Sequence, residues 1–155
     1  QVDLTKTIVV ITGDHGEEFF ERGRLSHASS LDKPQIQTPL VLFVPGQRPR
    51  VIGKVTSHLD VMETLLHVLG LPSEIGAYGR SMLIDDPLAH AAVAMMNRPA
   101  PPKVFAIVTD HRKMLFNVET QKVIAETYPD DTEIPGGEKS DPKMNAAARY
   151  FIANR

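Results

Sequence analysis

The sequence predicts an α/β fold, in which parallel strands are followed by a small antiparallel sheet and a terminal helix. Residues 7–12 and 38–44 are rich in β-branched and aliphatic residues that do not alternate with polar ones. This pattern is typical of strands covered on both faces of a parallel sheet. The second half instead contains short apolar runs separated by polar turns, which favours an antiparallel meander.

Length and composition indicate one compact, soluble domain. The chain has 155 residues, 42% hydrophobic and 23% charged, with a net charge of −2, so neither disorder nor nucleic-acid binding is indicated. No apolar run approaches the ~20 residues that span a bilayer. The chain has no cysteine, which excludes disulfides and thiolate metal sites. Carboxylates and imidazoles are therefore the candidate strong ligands.

The first two strands are expected to share one sheet, with residues 7–12 at its centre. Between them, residues 13–37 are polar and contain three glycines. Long excursions between strand ends commonly carry functional residues. We therefore look for the site in this excursion.

A helix is predicted to begin at Ser57 and to end at Gly70. Ser57 is a candidate N-cap, and Gly70 followed by Pro72 is a typical helix end. The predicted apolar face consists of residues at helical spacing, namely Leu59, Met62, Leu65, Leu66 and Leu69.

The remaining segments predict the second half of the fold. Residues 71–87 are rich in turn residues, and residues 97–102, with three prolines, form a stiff connector. The predicted strands are residues 104–109, 113–118 and 123–125, with residues 91–96 as a further strand or a helix. Residues 128–142 are expected to form a loop and residues 145–153 a helix. We thus predict a single fragment with an α/β portion at residues 1–87 and an antiparallel subdomain at residues 88–155.

Asp14 and His15 directly follow the first predicted strand. In open α/β sheets, ligands bind outside the carboxyl ends of the strands. A carboxylate and an imidazole at this edge can bind a divalent cation if the backbone bends sharply, and Gly16 permits such a bend. His27 lies at the far end of the same excursion and can fold back over the same edge.

A structural interpretation of this segment is the alternative. In it, Asp14 accepts a backbone amide in a turn and His15 is solvated, while three glutamates form a charged surface, namely Glu17, Glu18 and Glu21. The buried strands on both sides of the excursion, and His27 within it, favour the metal site.

The other histidines are expected to lie outside the site. His58 is assigned a structural role at the start of the helix, and His67 a packed or partly exposed place within it. His90 and His111 have no acidic or histidine neighbours in the sequence, so both are expected at the surface.

Four blocks of the sequence, in this order, resemble the alkaline phosphatase and sulfatase superfamily. They are TIVVITGDHGEEF, LSHAS, TPLVLFVPG and TSHLDVMETLLHVLGLP, and they cover roughly residues 5–75. The resemblance implies the C-terminal portion of an alkaline-phosphatase-like sandwich. It also implies that Asp14 and His15 are ligands of a catalytic divalent cation, and that His27 faces the phosphate or sulfate of the substrate.

Within the superfamily, the chain is similar to membrane-anchored, sulfatase-like proteins of Gram-negative inner membranes. This branch includes a type that regulates lipopolysaccharide synthesis and is related to lipoteichoic acid synthases and phosphoethanolamine transferases. The segments TDHRKMLFNVETQKVIAE and RYFIANR look like the end of such a protein. The resemblance implies a full-length protein on the periplasmic side of the inner membrane, whose membrane contact lies in an upstream segment.

The resemblance also implies the chemistry, a metal-dependent phosphoesterase or sulfatase-like hydrolase, or a headgroup transferase. The cation would be Zn, Mn or Mg, and the substrate a phosphate or sulfate ester, lipid-linked esters included, with sulfate esters less favoured. In this family the nucleophile lies upstream of the Asp-His-Gly block, so the isolated chain is expected to be inactive. The alternative is a non-catalytic sensor or scaffold that regulates envelope lipid or lipopolysaccharide assembly through a protein partner.

Overall fold

The computed structural model describes residues 1–73, 79–85, 91–96, 103–135 and 142–153. The chain forms two compact units, one comprising Gln1–Asp14 and Thr38–Leu88, the other His15–Gln37 and Ala89–Arg155. Both units are discontinuous in sequence, because the excursion after the first strand belongs to the second unit. The predicted boundary between an α/β portion at residues 1–87 and an antiparallel subdomain at residues 88–155 stays a prediction. Of the parts of the chain described here, none is a helix with the length and apolarity that a bilayer crossing requires.

Eight strands and three helices are assigned within the described residues. In chain order they are β1 (Val9–Thr12), β2 (Glu18–Phe19), β3 (Leu25–Ser26), α1 (Lys33–Ile36), β4 (Leu40–Phe43), α2 (Leu59–Leu69), β5 (Ala92–Met95), β6 (Val104–Val108), β7 (Lys113–Asn117), β8 (Lys122–Thr127) and α3 (Pro142–Ala153). This mixed α/β architecture confirms the predicted fold class. The predicted connector at residues 97–102 and His90 lie outside the described residues.

Strands β1 and β4 form a two-stranded sheet in the first unit, as their shared apolar character predicts. The predicted parallel orientation is wrong, because Val9 lies opposite Phe43 and Thr12 opposite Leu40 in an antiparallel register. Burial on both faces is also wrong, since Ile11 is 62% exposed. An apolar run without alternation predicts a strand but contains no information about its direction.

Helix α2 confirms the predicted helix and its end at Gly70. Gly70 has φ +66°, and its N–H donates to the carbonyls of His67 and Leu66, which is the usual left-handed end of a helix. The start differs by one residue, because His58 rather than Ser57 is the N-cap. The Ser57 N–H instead donates to Oδ2 of Asp60, at 2.7 Å.

The polar side of α2, not its apolar side, is the buried one within the described residues. Asp60 and Thr64 are buried, whereas Leu59 and Met62 are more than half exposed. The cause is a set of backbone hydrogen bonds, since Oδ1 of Asp60 accepts from the Arg80 N–H at 2.8 Å and Oγ1 of Thr64 from the Met82 N–H at 2.9 Å. These bonds fasten residues 80–82 to the helix and satisfy its buried polar groups.

The second unit contains the predicted meander, an antiparallel sheet in the order β5-β6-β7-β8. Phe105 on β6 pairs with Phe116 on β7, and their rings stack at 5.7 Å. The buried cluster consists of alternate residues of β6 and β7, Val118 and two residues of α3, namely Phe105, Ile107, Met114, Phe116, Val118, Met144 and Ala148. The meander and the terminal helix are therefore confirmed.

Residues 15–37 fold around a buried carboxylate. Glu18 on β2 is fully buried, and its Oε1 accepts from the N–H groups of Arg22 and Arg24 at 3.0 and 2.9 Å. Its Oε2 accepts from the side-chain amide of Gln35 on α1, at 2.7 Å. The carbonyl oxygen of that amide accepts from the N–H of Ser29, at 3.0 Å. The alternative interpretation, in which Glu18 is part of a charged surface, is thus wrong, because the buried side chain accepts hydrogen bonds from within the segment.

Gly16 is needed for close packing within this segment. Its N–H donates to the Gln35 carbonyl at 3.0 Å. A Cβ at Gly16 would overlap the carbonyl oxygen of Pro34 and lie 2.9 Å from that of Gln37. Both neighbours are backbone atoms, which cannot rotate away as a side chain can.

The meander holds the excursion through a buried ion pair. Lys113 on β7 is 1% exposed and pairs with Asp131. The Lys113 ammonium also donates to the Leu31 carbonyl at 3.1 Å, while Oδ2 of Asp131 accepts from the Lys33 N–H at 2.6 Å. Burial lowers the pKa of Lys113, although the negative charge of Asp32 opposes this shift. Breaking such a buried pair leaves an uncompensated charge, which is strongly destabilising.

We predict that Gly16→Ala destabilises the chain by about 1–3 kcal/mol, because the added methyl group collides with backbone carbonyls. Chemical denaturation monitored by circular dichroism measures the free energy of unfolding. Gly53→Ala is the matched control, since a Cβ there meets no atom within 4 Å, and its change should stay within ~0.5 kcal/mol. Equal stability of the two variants would contradict the packing argument.

We predict that Glu18→Gln lowers the free energy of unfolding at neutral pH, because the new side-chain amide would face the amide of Gln35. The Gln35 hydrogen bond lowers the pKa of Glu18 below its ordinary 4.5, and this outweighs the opposing effect of burial. The ionised carboxylate therefore stabilises the fold above pH 4.5, and this contribution is lost as the pH falls through the folded-state pKa.

The difference between wild type and Glu18→Gln should accordingly shrink as the pH falls below 4.5 in denaturation series. Glu119→Gln serves as the control, because its carboxylate is more than half exposed and pairs with Lys103 at the surface. A Glu18→Gln effect that does not change with pH would contradict the assigned role of the charge.

Candidate metal centre

Three side chains of the second unit form a cluster of metal-ligating type among the described residues. His15, Glu17 and His27 each offer one ligand atom, and these atoms lie within 4.8 Å of one another. The cluster brings together residues on either side of the paired strands β2 and β3, because His15 precedes β2 and His27 follows β3. The structure thus brings His15 and His27 together, as predicted from their placement in one excursion.

His15 is oriented by its own backbone neighbour. Its Nδ1 lies 2.8 Å from the Gly16 carbonyl oxygen, and a carbonyl can only accept a hydrogen bond. The ring therefore carries a proton on Nδ1, and Nε2 is the candidate ligand atom of this side chain. Histidines that bind metals typically have their second nitrogen fixed in this way.

His27 is held on two sides. Its Nδ1 lies 2.8 Å from Oε2 of Glu17, and its ring stacks on that of His15 with centroids 4.1 Å apart and planes at 29°. The next residue, Ala28, has φ +58°, a left-handed conformation that costs a residue with a Cβ roughly 1–2 kcal/mol. Such strained backbone is concentrated at functional sites.

Asp14 lies in the bend after β1, is exposed, and is the last residue of its segment in the first unit. His15 begins the corresponding segment of the second unit. The convergence of Asp14 and His15 on one cation therefore stays a prediction.

The remaining histidines have other surroundings. Nε2 of His58 lies 2.8 Å from the Gly13 carbonyl oxygen, which links α2 to the end of β1. Nδ1 of His67 lies 2.7 Å from the Ser81 hydroxyl, and His111 is exposed. The expectation that none of the three belongs to the site stays a prediction.

Glu17 is the cluster member that the sequence interpretation assigned to a charged surface. The structure places Glu17 with His15 in the cluster, whereas the adjacent Glu18, the first residue of β2, is buried. The two adjacent glutamates thus have different environments.

The donors fit a divalent transition metal. Zinc takes imidazole nitrogen at 2.0–2.1 Å and carboxylate oxygen at about 2.0–2.2 Å, so donors within 4.8 Å of one another need small shifts to surround one ion. Two imidazoles favour zinc and its transition-metal neighbours, whereas Mg prefers oxygen ligands. His27 and Glu17 are partly exposed, at 47% and 38%, so an ion can reach them.

The chain is similar to sulfatases and to phosphopentomutases. Residues 2–71 match the sulfatase family model. The chain is 30% identical to arylsulfatase K of Mus musculus over 99 residues, which is 62% of this chain and 18% of that protein. It is 36% identical to phosphopentomutase of Rhizobium etli over 76 residues, which is 49% of this chain and 16% of that protein.

The fold is also similar to a solved structure. A protein from Bacteroides thetaiotaomicron that is predicted to be a sulfatase superimposes with a TM-score of 0.64 and 20% identity. The match covers 94% of this chain and 34% of that one, so the chain spans about a third of its structural neighbour and under a fifth of the curated relatives named here. The family model thus supports a sulfatase domain over residues 2–71, and the structural neighbour shows a similar fold.

Proposed function

We propose that the protein containing this chain is a metal-dependent hydrolase or transferase that acts on a phosphate or sulfate ester. The observation that carries the proposal is the cluster of His15, Glu17 and His27. Two of its members, His15 and His27, are residues for which the superfamily resemblance implies a role in the site. The matched segment, residues 2–71, contains the whole cluster.

His15 is proposed as a ligand through Nε2, because Nδ1 is occupied by the Gly16 carbonyl. Asp14 is proposed as the second ligand on the strength of the resemblance. A bound divalent cation would lower the pKa of the nucleophile and neutralise charge on the transferred group. The choice among Zn, Mn and Mg belongs to the same proposal, since one carboxylate and one imidazole suit each of the three.

His27 is proposed to face the substrate. Its ring is held by Glu17 and His15, and the proposed contact is a hydrogen bond that Nε2, when protonated, donates to an ester oxygen. A positioned group of this kind stabilises charge that develops on the transferred oxygen atoms. The nucleophile itself is proposed to lie elsewhere in the protein, and inactivity of the isolated chain stays a prediction.

Phosphate and sulfate esters share a tetrahedral anion, and the named relatives include both an arylsulfatase and a phosphopentomutase. The family model that matches is that of the sulfatases, which supports a sulfate ester more strongly than the sequence blocks alone do. The finer assignment, a periplasmic inner-membrane protein acting on lipid-linked headgroups or regulating lipopolysaccharide, is supported by the sequence resemblance.

We predict that His15→Ala and Asp14→Ala each weaken binding of the divalent cation by at least about 10-fold in the full-length protein, because each removes a ligand. Elemental analysis after equilibrium dialysis measures the bound metal. His111→Ala is the matched control, since that imidazole is exposed and lies outside the cluster. Unchanged metal content in His15→Ala would defeat the assignment, and unchanged content in Asp14→Ala alone would remove Asp14 from the ligand set.

We predict that the full-length protein hydrolyses a chromogenic aryl phosphate or aryl sulfate, and that a chelator abolishes turnover. His27→Ala should lower kcat/KM about 10²–10³-fold, the usual effect of removing one group that stabilises developing charge. The comparison of the two esters identifies the substrate class. A metal-loaded protein that turns over neither ester would support the alternative of a non-catalytic sensor or scaffold.

A further inference from the structure

We propose that Glu17 is the positioning residue of His27. Its carboxylate accepts the Nδ1 proton of His27 and thereby fixes Nε2 as the nitrogen that meets the substrate. The proposal rests on the proposed function for the role of His27, whereas the hydrogen bond and the tautomer can be measured without it.

The first observation is the hydrogen bond itself. Oε2 of Glu17 lies 2.8 Å from Nδ1 of His27, within the range of hydrogen bonds strengthened by a charged partner. A carboxylate can only accept, so Nδ1 must be the protonated nitrogen in this pair. The hydrogen bond that one ring nitrogen makes decides the state of the other.

The second observation is that the Glu17 backbone is held on both sides. Gly16 before it donates to the Gln35 carbonyl and packs against α1. Glu18 after it is buried and accepts three hydrogen bonds from within the excursion. Glu17 therefore projects from a fixed point, and its carboxylate loses little further freedom when it binds His27.

The third observation is that the two contacts of His27 act in different directions. The His15 ring restrains the plane of the imidazole through its face, and Glu17 restrains its rotation through one edge. A histidine side chain has only two rotatable bonds, so one face contact and one edge contact define its orientation.

Neighbouring carboxylates cannot take over this role. Glu18 is buried with both oxygens accepting hydrogen bonds, and Oε2 of Glu21 accepts from the Phe19 N–H at 2.5 Å. The competing assignment is that Glu17 is itself a metal ligand, since it belongs to the same cluster. That assignment needs a cation in place of the hydrogen bond to His27, so the two can be separated by experiment.

The first test is the tautomer of His27 in the 155-residue chain without added metal. Long-range ¹⁵N–¹H correlation spectra at a pH where the imidazole is neutral report which nitrogen carries the proton. We expect a single Nδ1–H form in wild type and in Glu17→Gln, whose carbonyl oxygen can still accept, and a mixture of forms in Glu17→Ala. His15 should keep its Nδ1–H form in all three, since its partner is the Gly16 carbonyl.

A wild-type His27 in the Nε2–H form, or an unchanged tautomer in Glu17→Ala, would overturn the proposal. Titration with Zn²⁺ separates the competing assignment. If Glu17→Gln loses metal to the same degree as His15→Ala, Glu17 is a ligand and the positioning role is refuted. Metal affinity close to wild type in Glu17→Gln supports the positioning role.

The second test uses turnover by the full-length protein. Glu17→Ala should lower kcat/KM about 10–100-fold, the usual effect of losing a residue that orients a functional histidine, and Glu17→Gln should restore most of it. If Glu17→Gln is as impaired as Glu17→Ala, orientation is not the role of Glu17. Absence of turnover in wild type would count against the proposed function, while the tautomer result would still decide the role of Glu17.

Discussion

The structure of the candidate site depends on one buried carboxylate, that of Glu18. An ionised group without water needs donors for its lone pairs, and here two backbone amides and the Gln35 side chain supply them. Satisfying this group forces residues 15–37 to close on themselves instead of extending into solvent. The closure brings His27 back to His15, although twelve residues separate the two in the sequence.

The closed excursion is then attached to a rigid sheet. Lys113, the first residue of β7, meets the Leu31 carbonyl and Asp131. Burying a lysine is costly, and the ion pair is weak evidence of stability in itself. The pair contributes to the position of the loop, because the Leu31 carbonyl of the loop backbone accepts a hydrogen bond from the ammonium of Lys113. A functional site attached to strands is held more precisely than one on a free loop.

The chemistry of the cluster follows from two adjacent glutamates with different roles. Glu18 faces inward and organises the backbone, whereas Glu17 faces His15 and His27 and contacts an imidazole. Two adjacent residues of the same type thus differ in burial because their side chains meet different partners.

The sequence by itself determined the longer elements and the chemical groups, but not the short elements β2, β3 and α1 within the excursion. The apolar periodicity and Gly70 predicted α2 and its end, the short apolar runs predicted the meander, and the Asp-His-Gly triplet with His27 predicted where imidazoles gather. Only the tertiary structure decided the direction of β4 relative to β1, the buried side of α2 and the separate environments of Glu17 and Glu18. The physical reason is that periodicity and donor type are local properties. Direction and burial depend instead on partners distant in sequence, as Arg80 is from Asp60 and Gln35 from Glu18.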